Sequence, residues 1–494
     1  MIYYLDSQYG NDKNDGLSRQ TAFGSLEKVN SLTFTGGDKL LIKAGTVYEG
    51  SLSPKRVRDT GMVYIGRYGV GEKPLINGID TPPILLENFD EVDIEDIAAT
   101  NVKGNIGLYV LNTAGGVMKH VHIRNCHISH VNDDRHSYSR AEGGIICGSW
   151  SEIEQGPGWF DDLLLEDNEI YDVCRTGILV TGHWGSRTKE DWTYNDYVSD
   201  TEGWWPSYGV VIRGNRVERV AGDGIFIVGT VDAVMEWNTL YYINTNPPTD
   251  IRVANAGIWP QASNNCLIQF NESAHAFKPE RFGDSQGFDV DFDCKDTIIQ
   301  YNYSHDNGGG LMTQCDREEN KNGLYGGTIV RNNLSVNDGN IRGEILLFWG
   351  AVHNSLIENN TFVAAKEVER LVDVGILRDA FGYPDGVTIR RNIFICNCQN
   401  CKYNFLGAEN VKLEENLYWG YRIDPDKLEE GAMYFDPQLV DIDAPRDGMD
   451  AIMKFVPQNR DVILSGKTAS AGEKDLLGES TEGIAYVGAM LPQK

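Results

Sequence analysis

A short phrase that ends in asparagine recurs through the chain, and it restricts the possible folds more than any other feature of the sequence. Each copy is a run of β-forming residues, then a variable pair, then Asn. From Asn215 onward successive copies lie about 23 to 33 residues apart, which is within the period of solenoid proteins. The copies end at Asn168, Asn215, Asn238, Asn271, Asn302, Asn333, Asn360, Asn392 and Asn416, with Cys126 in the same position upstream.

A second phrase lies between these copies, opening with Gly and alternating apolar with other residues, as in the runs that follow Gly224 and Gly287. Two short strands per repeat leave no room for helices. One repeat cannot bury its apolar face alone, whereas stacked coils bury a continuous column of Ile, Val and Leu. One Asn per coil can form a ladder of side-chain amides at the roughly 4.8 Å spacing of strands. The pattern predicts an all-β, right-handed parallel β-helix rather than leucine-rich repeats or a propeller.

The ends of the chain depart from the repeat, as capping segments do. We expect residues 1–110 to form an N-terminal capping segment continuous with the helix, with a short helix near 25–30. Residues 111–430 would form the coils, and 431–494 a C-terminal cap. Two long insertions, at about 127–143 and 183–208, interrupt the coils, and solenoid insertions often form the binding face. We expect substrate to contact His183, Trp184, Trp204 and Trp205.

The chain is acidic, with a net charge of −28, so we expect neither nucleic acid nor a membrane surface as partner. No apolar run reaches the roughly 18 residues of a transmembrane helix. The first residues lack a basic region followed by an apolar one, which predicts no secretory signal and, unless a leader was removed, a cytoplasmic location. The nine cysteines lie mostly in apolar runs, so we expect buried thiols rather than disulfides. Cys396, Cys398 and Cys401 lack the second half of a zinc motif.

Three aspartates alternate with apolar residues in the strand that follows Gly287. Because alternate residues of a strand share a face, Phe288, Val290 and Phe292 are expected to point inward and the aspartates outward. If the neighbouring coils are aligned by their opening glycines, they add residues to the same outward face. The residues expected there are Asp289, Asp291, Asp293, Met312, Gln314, Asp316, Trp259 and Gln261, with His183 at the end of an earlier matching strand. Of these, we expect Trp259, Gln261 and Gln314 to contact the substrate.

Crowded carboxylates suit the hydrolysis of a glycosidic bond, which needs one carboxyl group to protonate the leaving oxygen and another as nucleophile or base. Alternate residues of one strand lie roughly 6.5–7 Å apart, and equivalents on neighbouring coils roughly 4.8 Å, near the separations that these mechanisms use. Repulsion between them raises at least one pKa, as an acid requires. The same oxygens could instead bind Ca²⁺. His120 and His122 share a strand face without a recognisable third ligand, and His305 is expected to be structural.

The opening from Tyr3 to Gly16, the run from Gly37 to Gly45, and residues 287–310 resemble bacterial right-handed parallel β-helix proteins that act on glycans. Among these, the lacto-N-biosidase-type hydrolases carry two catalytic aspartates seven positions apart. Asp284 and Asp291 have that spacing. The resemblance implies that Asp284 is the acid/base and Asp291 the nucleophile. Asp289 and Asp296 have the same spacing, and the β-helix α-fucosidase and xylanase-like group is an equally close relative.

Three functions follow as alternatives. The first is a glycoside hydrolase that acts without a cofactor on a carbohydrate, with two of Asp284, Asp289, Asp291, Asp293 and Asp316. The second is a Ca²⁺-dependent lyase that cleaves a uronate glycan by β-elimination. It would need a basic residue, and the candidates are Lys278, Arg281 and Arg317, the last also a candidate substrate contact. The third is a glycan-binding solenoid without activity. The acidic net charge favours the hydrolase over the lyase.

Overall fold

The chain forms two compact units, each a stretch of right-handed parallel β-helix with three parallel sheets. The first comprises Met1–Val234 with Thr245–Pro248, and the second Met235–Asn244 with Thr249–Lys494. The computed structural model describes residues 1–132, 139–185, 204–245, 255–277, 284–317, 326–374, 381–399, 401–421, 429–470 and 472–493. Strands are numbered β1 to β42 in chain order.

In the first unit each strand pairs in parallel with the strand one coil earlier. Sheet 1 contains β1 (Ile2–Leu5), β3 (Lys39–Lys43), β6 (Val63–Tyr68), β9 (Val92–Glu95), β12 (Gly116–Arg124), β15 (Gly158–Glu166) and β18 (Ser207–Arg213), with β21 (Thr230–Val231) beside β18. Sheet 2 contains β4 (Val47–Glu49), β7 (Leu75–Asn77), β10 (Ala98–Asn101), β13 (His127–Val131), β16 (Glu169–Val173) and β19 (Arg216–Val220). Sheet 3 contains β8 (Ile84–Glu87), β11 (Ile106–Asn112), β14 (Gly143–Ser149), β17 (Thr176–Gly182) and β20 (Ile225–Val228). A small separate sheet pairs β2 (Thr33–Phe34) with β5 (Lys55–Arg56).

The second unit repeats this arrangement. Sheet 1 contains β22 (Val234–Glu236), β25 (Leu267–Gln269), β28 (Ile298–Gln300), β31 (Ile329–Arg331), β34 (Leu356–Glu358), β37 (Thr388–Arg390) and β40 (Lys412–Glu414). Sheet 2 contains β23 (Thr239–Tyr241), β26 (Glu272–Ala274), β29 (Tyr303–His305), β32 (Leu334–Val336), β35 (Thr361–Val363), β38 (Ile393–Cys396), β41 (Leu417–Gly420) and β42 (Met433–Tyr434). Sheet 3 contains β24 (Ile258–Gln261), β27 (Phe288–Val290), β30 (Met312–Asp316), β33 (Glu344–Gly350), β36 (Arg370–Val374) and β39 (Lys402–Asn404).

The predicted asparagine ladder forms in the turn between sheets 1 and 2. In the second unit it runs unbroken from Asn238 to Asn416, and each side chain donates from Nδ2 to the Oδ1 of the next asparagine at 2.9–3.0 Å. The backbone N–H of each asparagine donates to the same oxygen. Asn416 donates to Glu429 Oε1, which closes the series. In the first unit Asn168 bonds Asn215 in the same way, and Cys126 donates its backbone N–H to Asn168. The ladder and the fold class are confirmed.

The capping segments are closely joined to the coils. At the N-terminus, Ser25 caps helix α1 (Leu26–Asn30) by accepting the Lys28 N–H, which confirms the short helix expected there. At the C-terminus, two 3₁₀ turns (Met449–Phe455 and Arg460–Val462) precede a segment that packs on sheet 2 of the second unit. Among the described residues, no helix is long and apolar enough to cross a bilayer.

Strand positions refine the predicted insertions. Residues 127–131 belong to β13, so the first break in the coils begins only at 132, and the second lies between β17 and β18. Parts of both, 133–138 and 186–203, lie outside the described residues. All nine cysteines are free thiols, and all but Cys398 are buried, as expected.

A buried network of charged side chains joins the C-terminal segment to the coils of the second unit. His305, at the end of β29, is fully buried, and its ring lies 3.1 Å from Glu272 Oε1 and 3.0 Å from Asp306 Oδ2. Arg446 of the cap donates to the same Asp306 oxygen at 2.8 Å. Burial opposes a charge on the ring, but the bonds to Asp306 and Glu272 outweigh it and raise the pKa of His305 to about 9. The structural role expected for His305 agrees with these contacts.

The raised pKa of His305 predicts a stability that depends on pH. In the unfolded chain the pKa returns to about 6.5, so the charged ring contributes its full stabilisation below that pH and loses it as the pH rises through about 9. We expect the free energy of unfolding of the wild type relative to His305→Gln to fall by about 3 kcal/mol between the two ends of this window. Chemical denaturation at several pH values measures it. His275→Gln is the control, and an equal pH dependence in both variants would contradict the assignment.

Candidate active site

The outward face of sheet 3 in the second unit carries the predicted acidic residues, but the register between its strands is shifted. Phe288 pairs with Met312, Asp289 with Thr313 and Val290 with Gln314. Leu311 precedes β30 as an additional residue after the glycine, and its carbonyl accepts the Phe288 N–H. The alignment by glycines was therefore wrong by one residue, and Thr313 and Cys315 are the residues that share the outward face with Asp289.

This shift removes one predicted substrate contact. Gln314 points into the coil, where it donates to Thr328 Oγ1 at 2.9 Å and accepts from Ser355 Oγ at 2.8 Å. Met312 also points inward and is fully buried. The prediction that Met312 and Gln314 lie on the outward face is wrong, and by the same register it is also wrong for Asp316.

Strand β27 ends at Val290, so the predicted alternation stops before its last residues. Asp293 lies buried in the following turn with a φ of 63°, in the left-handed region. Phe292 packs against Phe381, and the Arg317 guanidinium lies 4.5 Å from the Phe292 ring centroid. Asp316 ends β30 and accepts the Arg317 N–H. The placement of Phe292 in the inner column and of Asp293 on the outward strand face is wrong.

A buried thiol, that of Cys315, is hydrogen-bonded to one carboxylate and lies in the electric field of two others. Asp291 Oδ1 accepts hydrogen bonds from Cys315 Sγ at 2.6 Å and from the Phe292 N–H at 2.8 Å. Burial and the carboxylates of Asp291, Asp289 and Asp284 raise the pKa of Cys315 well above its usual value. Because the thiol stays protonated, Cys315 is a hydrogen-bond donor here and not a nucleophile. Asp284 and Asp291, seven positions apart in sequence, thus both contribute negative charge to the surroundings of this thiol.

Asp284 forms an ion pair with Arg342, a residue that the sequence analysis did not identify. Arg342, in the turn before β33, donates from Nη1 to Asp284 Oδ1 at 2.9 Å, pairs with Glu344, and lies over the Trp349 ring at 5.3 Å. Burial opposes the charge on Arg342, but Asp284 and Glu344 raise its pKa. Asp284 and Arg342 are 58 positions apart, so no local motif connects them.

Aromatic and amide side chains adjoin the carboxylates. Ile258 of β24 pairs with Phe288, which places Trp259 on the same outward side as Asp289. Trp259 and Gln261 are both buried. Among the described residues, neither the amide of Gln261 nor the hydroxyl of Thr313 has a hydrogen-bond partner. A buried polar group without a partner costs about 1–3 kcal/mol, so these groups suit a ligand with hydroxyls.

The other predicted substrate contacts belong to the first unit, where they form local contacts. His183 lies edge-on to Trp150 with ring centroids 4.8 Å apart, and burial lowers the pKa of His183. Trp184 donates to the Ser151 carbonyl and Trp204 to that of Gly185. Trp205 is partly exposed and stacks on Trp159. Lys278 and Arg281, the other candidate bases of a lyase, lie outside the described residues.

Metal-ligating geometry occurs elsewhere in the described part of the chain. Two groups bring three histidine or aspartate donor atoms within 4.8 Å of one another: Asp93, His120 and His122, and His275, His305 and Asp447. The aspartates of the candidate active site do not form such a group among the described residues. Their geometry therefore gives no support to the Ca²⁺ site that the lyase alternative requires.

Comparison with known proteins supports the fold and the resemblance. A lacto-N-biosidase of Bifidobacterium longum subsp. longum is 25% identical over 421 aligned residues, which cover 68% of this chain and 26% of that protein. The chain thus matches about a quarter of that relative's length. A solved GH136 lacto-N-biosidase from Eubacterium ramulus has a TM-score of 0.60 at 22% identity, covering 74% of this chain and 64% of that one.

XylC, solved in complex with xylose, has a TM-score of 0.59 at 14% identity, and the likeness covers 100% of this chain and 99% of that one. No protein-family profile matches the chain. The structural likenesses, all at low identity, concern the fold. The chain is a right-handed parallel β-helix protein that resembles the lacto-N-biosidase-type and related carbohydrate-active enzymes of this fold.

Proposed function

We propose that the protein is a glycoside hydrolase and that Asp284 and Asp291 are its catalytic pair. The observation that carries the proposal is that both carboxylates, which have the spacing of the lacto-N-biosidase-type pair, are held by defined partners. Asp291 accepts a hydrogen bond from the buried Cys315 thiol, Asp284 accepts one from Arg342, and the charges of both carboxylates raise the pKa of that thiol. Asp296, the partner in the alternative pair with Asp289, is exposed in a turn. An exposed carboxylate lacks the shielded environment in which a glycosidase adjusts the pKa of its acid.

The roles within the pair rest on the resemblance, by which Asp284 is the acid/base and Asp291 the nucleophile. The Arg342 guanidinium donates a hydrogen bond to Asp284 Oδ1 and so holds this carboxylate in position. Glu344 bonds Arg342 and Arg370.

The substrate that we propose is a neutral oligosaccharide. The amide of Gln261 and the hydroxyl of Thr313, which are buried and have no hydrogen-bond partner among the described residues, match the hydroxyl groups of a neutral sugar. Oligosaccharides that contain lacto-N-biose are the first to test because the relative is a lacto-N-biosidase, followed by xylose-containing ones because XylC was solved with xylose.

The test is turnover of a panel of neutral and uronate-containing oligosaccharides, with and without EDTA. We expect metal-independent release of reducing sugar by the wild type and none by Asp291→Asn. Asp296→Asn, an exposed carboxylate of the same coil, is the matched control and should retain activity. EDTA-sensitive ultraviolet absorbance of the product would indicate a lyase instead. Binding of sugars without turnover, unchanged in Asp291→Asn, would indicate a glycan-binding protein.

A further inference from the structure

A second cluster of polar side chains lies on the outward face of sheet 1 in the first unit. It is built on an irregularity shared by two neighbouring strands. Lys119 pairs with Asp161 and Val121 with Leu163, so His120 and Asp162 are both left out of the register. Both residues have a positive φ, 48° and 63°. Such bulges re-aim a side chain, and here they bring His120 beside His122.

The third member comes from the preceding coil. Asp93 of β9 pairs in register with His122. Asp93 Oδ1 lies 3.6 Å from His122 Nδ1 and 3.7 Å from His120 Nε2, and the three atoms all lie within 4.8 Å of one another. His120 Nε2 is buried and has no hydrogen-bond partner among the described residues. The sequence showed no third ligand because Asp93 is 27 positions before His120.

Asp162 fixes the orientation of both rings from the opposite side. Its Oδ2 lies 2.7 Å from His120 Nδ1 and its Oδ1 lies 2.8 Å from His122 Nε2. A carboxylate accepts hydrogen bonds only, so each ring carries its proton on the nitrogen that faces Asp162. His120 Nε2 and His122 Nδ1, the nitrogens on the other side of the rings, face Asp93 and are the atoms that a metal would bind. A carboxylate that orients metal-bound histidines through their other nitrogen is the usual outer partner of such sites.

We propose that Asp93, His120 and His122 bind one transition-metal dication of the zinc type, with Asp162 as the positioning residue. Zinc binds histidine nitrogen and carboxylate oxygen at about 2.0–2.2 Å, which places tetrahedral ligands about 3.3–3.6 Å apart. The two distances to Asp93 need only a small contraction. Nitrogen ligands select zinc-type ions over Ca²⁺ and Mg²⁺, which prefer oxygen. The ion would join two successive coils, independently of the glycosidase chemistry.

Arg124 would compete with a bound metal ion for the Asp93 carboxylate. Its Nη2 donates to Asp93 Oδ1 at 2.9 Å, and its Nε lies 3.6 Å from Glu95 Oε2. A cation so close to the site lowers its affinity for a metal, and Glu95 offers the guanidinium another partner. Arg124→Gln should therefore bind the metal more tightly than the wild type.

Isothermal titration of the full chain with ZnCl₂, after EDTA treatment and desalting, tests the proposal. The variants are His122→Gln, His120→Asn, which suits the left-handed backbone, and the double variant. We expect the wild type to bind one zinc ion more than the double variant. We expect Asp162→Asn to weaken this binding by about 10- to 100-fold, and Arg124→Gln to strengthen it. His127→Gln, a histidine of β13 that lies 3.6 Å from Glu169, is the control and should leave it unchanged.

Two further measurements separate this site from others. Co²⁺ bound here should lack the strong near-ultraviolet absorption of thiolate ligands, which distinguishes it from the cysteines. Zinc should raise the midpoint of thermal unfolding of the wild type and of Arg124→Gln, but not of the double variant. Equal stoichiometry and affinity in the wild type and the double variant, or no binding by the wild type and Arg124→Gln at millimolar zinc, would overturn the proposal.

Discussion

Asp291→Asn is expected to lower kcat/KM on the best substrate by on the order of 10⁴-fold or more, because it removes the group that attacks the sugar. Asp284→Asn should cost about 10²- to 10⁴-fold, the usual contribution of a general acid/base. The loss in Asp284→Asn should shrink on substrates with an activated leaving group, which needs little protonation. Both substitutions remove a charge and keep the shape of the side chain.

External azide distinguishes the two roles. In a retaining enzyme, azide replaces the missing nucleophile of Asp291→Gly and gives a glycosyl azide of inverted configuration. In Asp284→Gly it replaces the water that the base would activate, and the product keeps its configuration. The opposite pattern of products would mean that Asp284 is the nucleophile and Asp291 the acid/base. Full activity in both asparagine variants would refute the pair, and Asp296→Asn controls for general charge effects.

Asn333→Ala is expected to lower the free energy of unfolding of the second unit by about 3–5 kcal/mol. Asn333 is fully buried in the middle of the ladder. Its Oδ1 accepts from both nitrogens of Asn302, and its Nδ2 donates to Ile299 O and Asn360 Oδ1. Removal of the amide leaves these neighbours without a partner and away from water, which costs more than the hydrogen bonds themselves contribute.

Urea denaturation followed by tryptophan fluorescence measures this loss. Asn397→Ala is the matched control, since its exposed amide makes one bond, to Ala364 O. We expect that control to change stability by less than about 1 kcal/mol. A similar small effect of Asn333→Ala would mean that water reaches the gap and replaces the amide.

The repeat was sufficient to predict the fold class and the ladder, because both follow from the regular spacing of the asparagines. It indicated only two strands per coil, whereas each coil contributes to three sheets, and the strand after each asparagine was not predicted. The alternation of residues after Gly287 also predicted that Asp289 lies on the outward face. The register between neighbouring coils was not predictable in this way. Leu311 adds one residue after Gly310, and this single residue exchanges Gln314 for Thr313 at the face.

Side-chain contacts between coils were also not predictable from the sequence. Arg342 reaches Asp284 across two coils, and Asp93 reaches His122 from the coil before. Coil length varies, so the residues that meet in space have no fixed separation in sequence. His120 could not have been aligned with His122 by alternation, because the bulge breaks the period of two. The strands were therefore more predictable than the sites that they carry.

The ladder also has a direction. Every amide in it presents its oxygen to the coil before and its nitrogen to the coil after, so the side-chain dipoles add along the stack in the way that peptide dipoles add in an α-helix. The donor end of this row is electropositive, and the Glu429 carboxylate accepts its last hydrogen bond. Because a carboxylate only accepts hydrogen bonds, the series of amide donors ends at Glu429. Another chain therefore finds no free amide donor on which to extend the ladder at that turn.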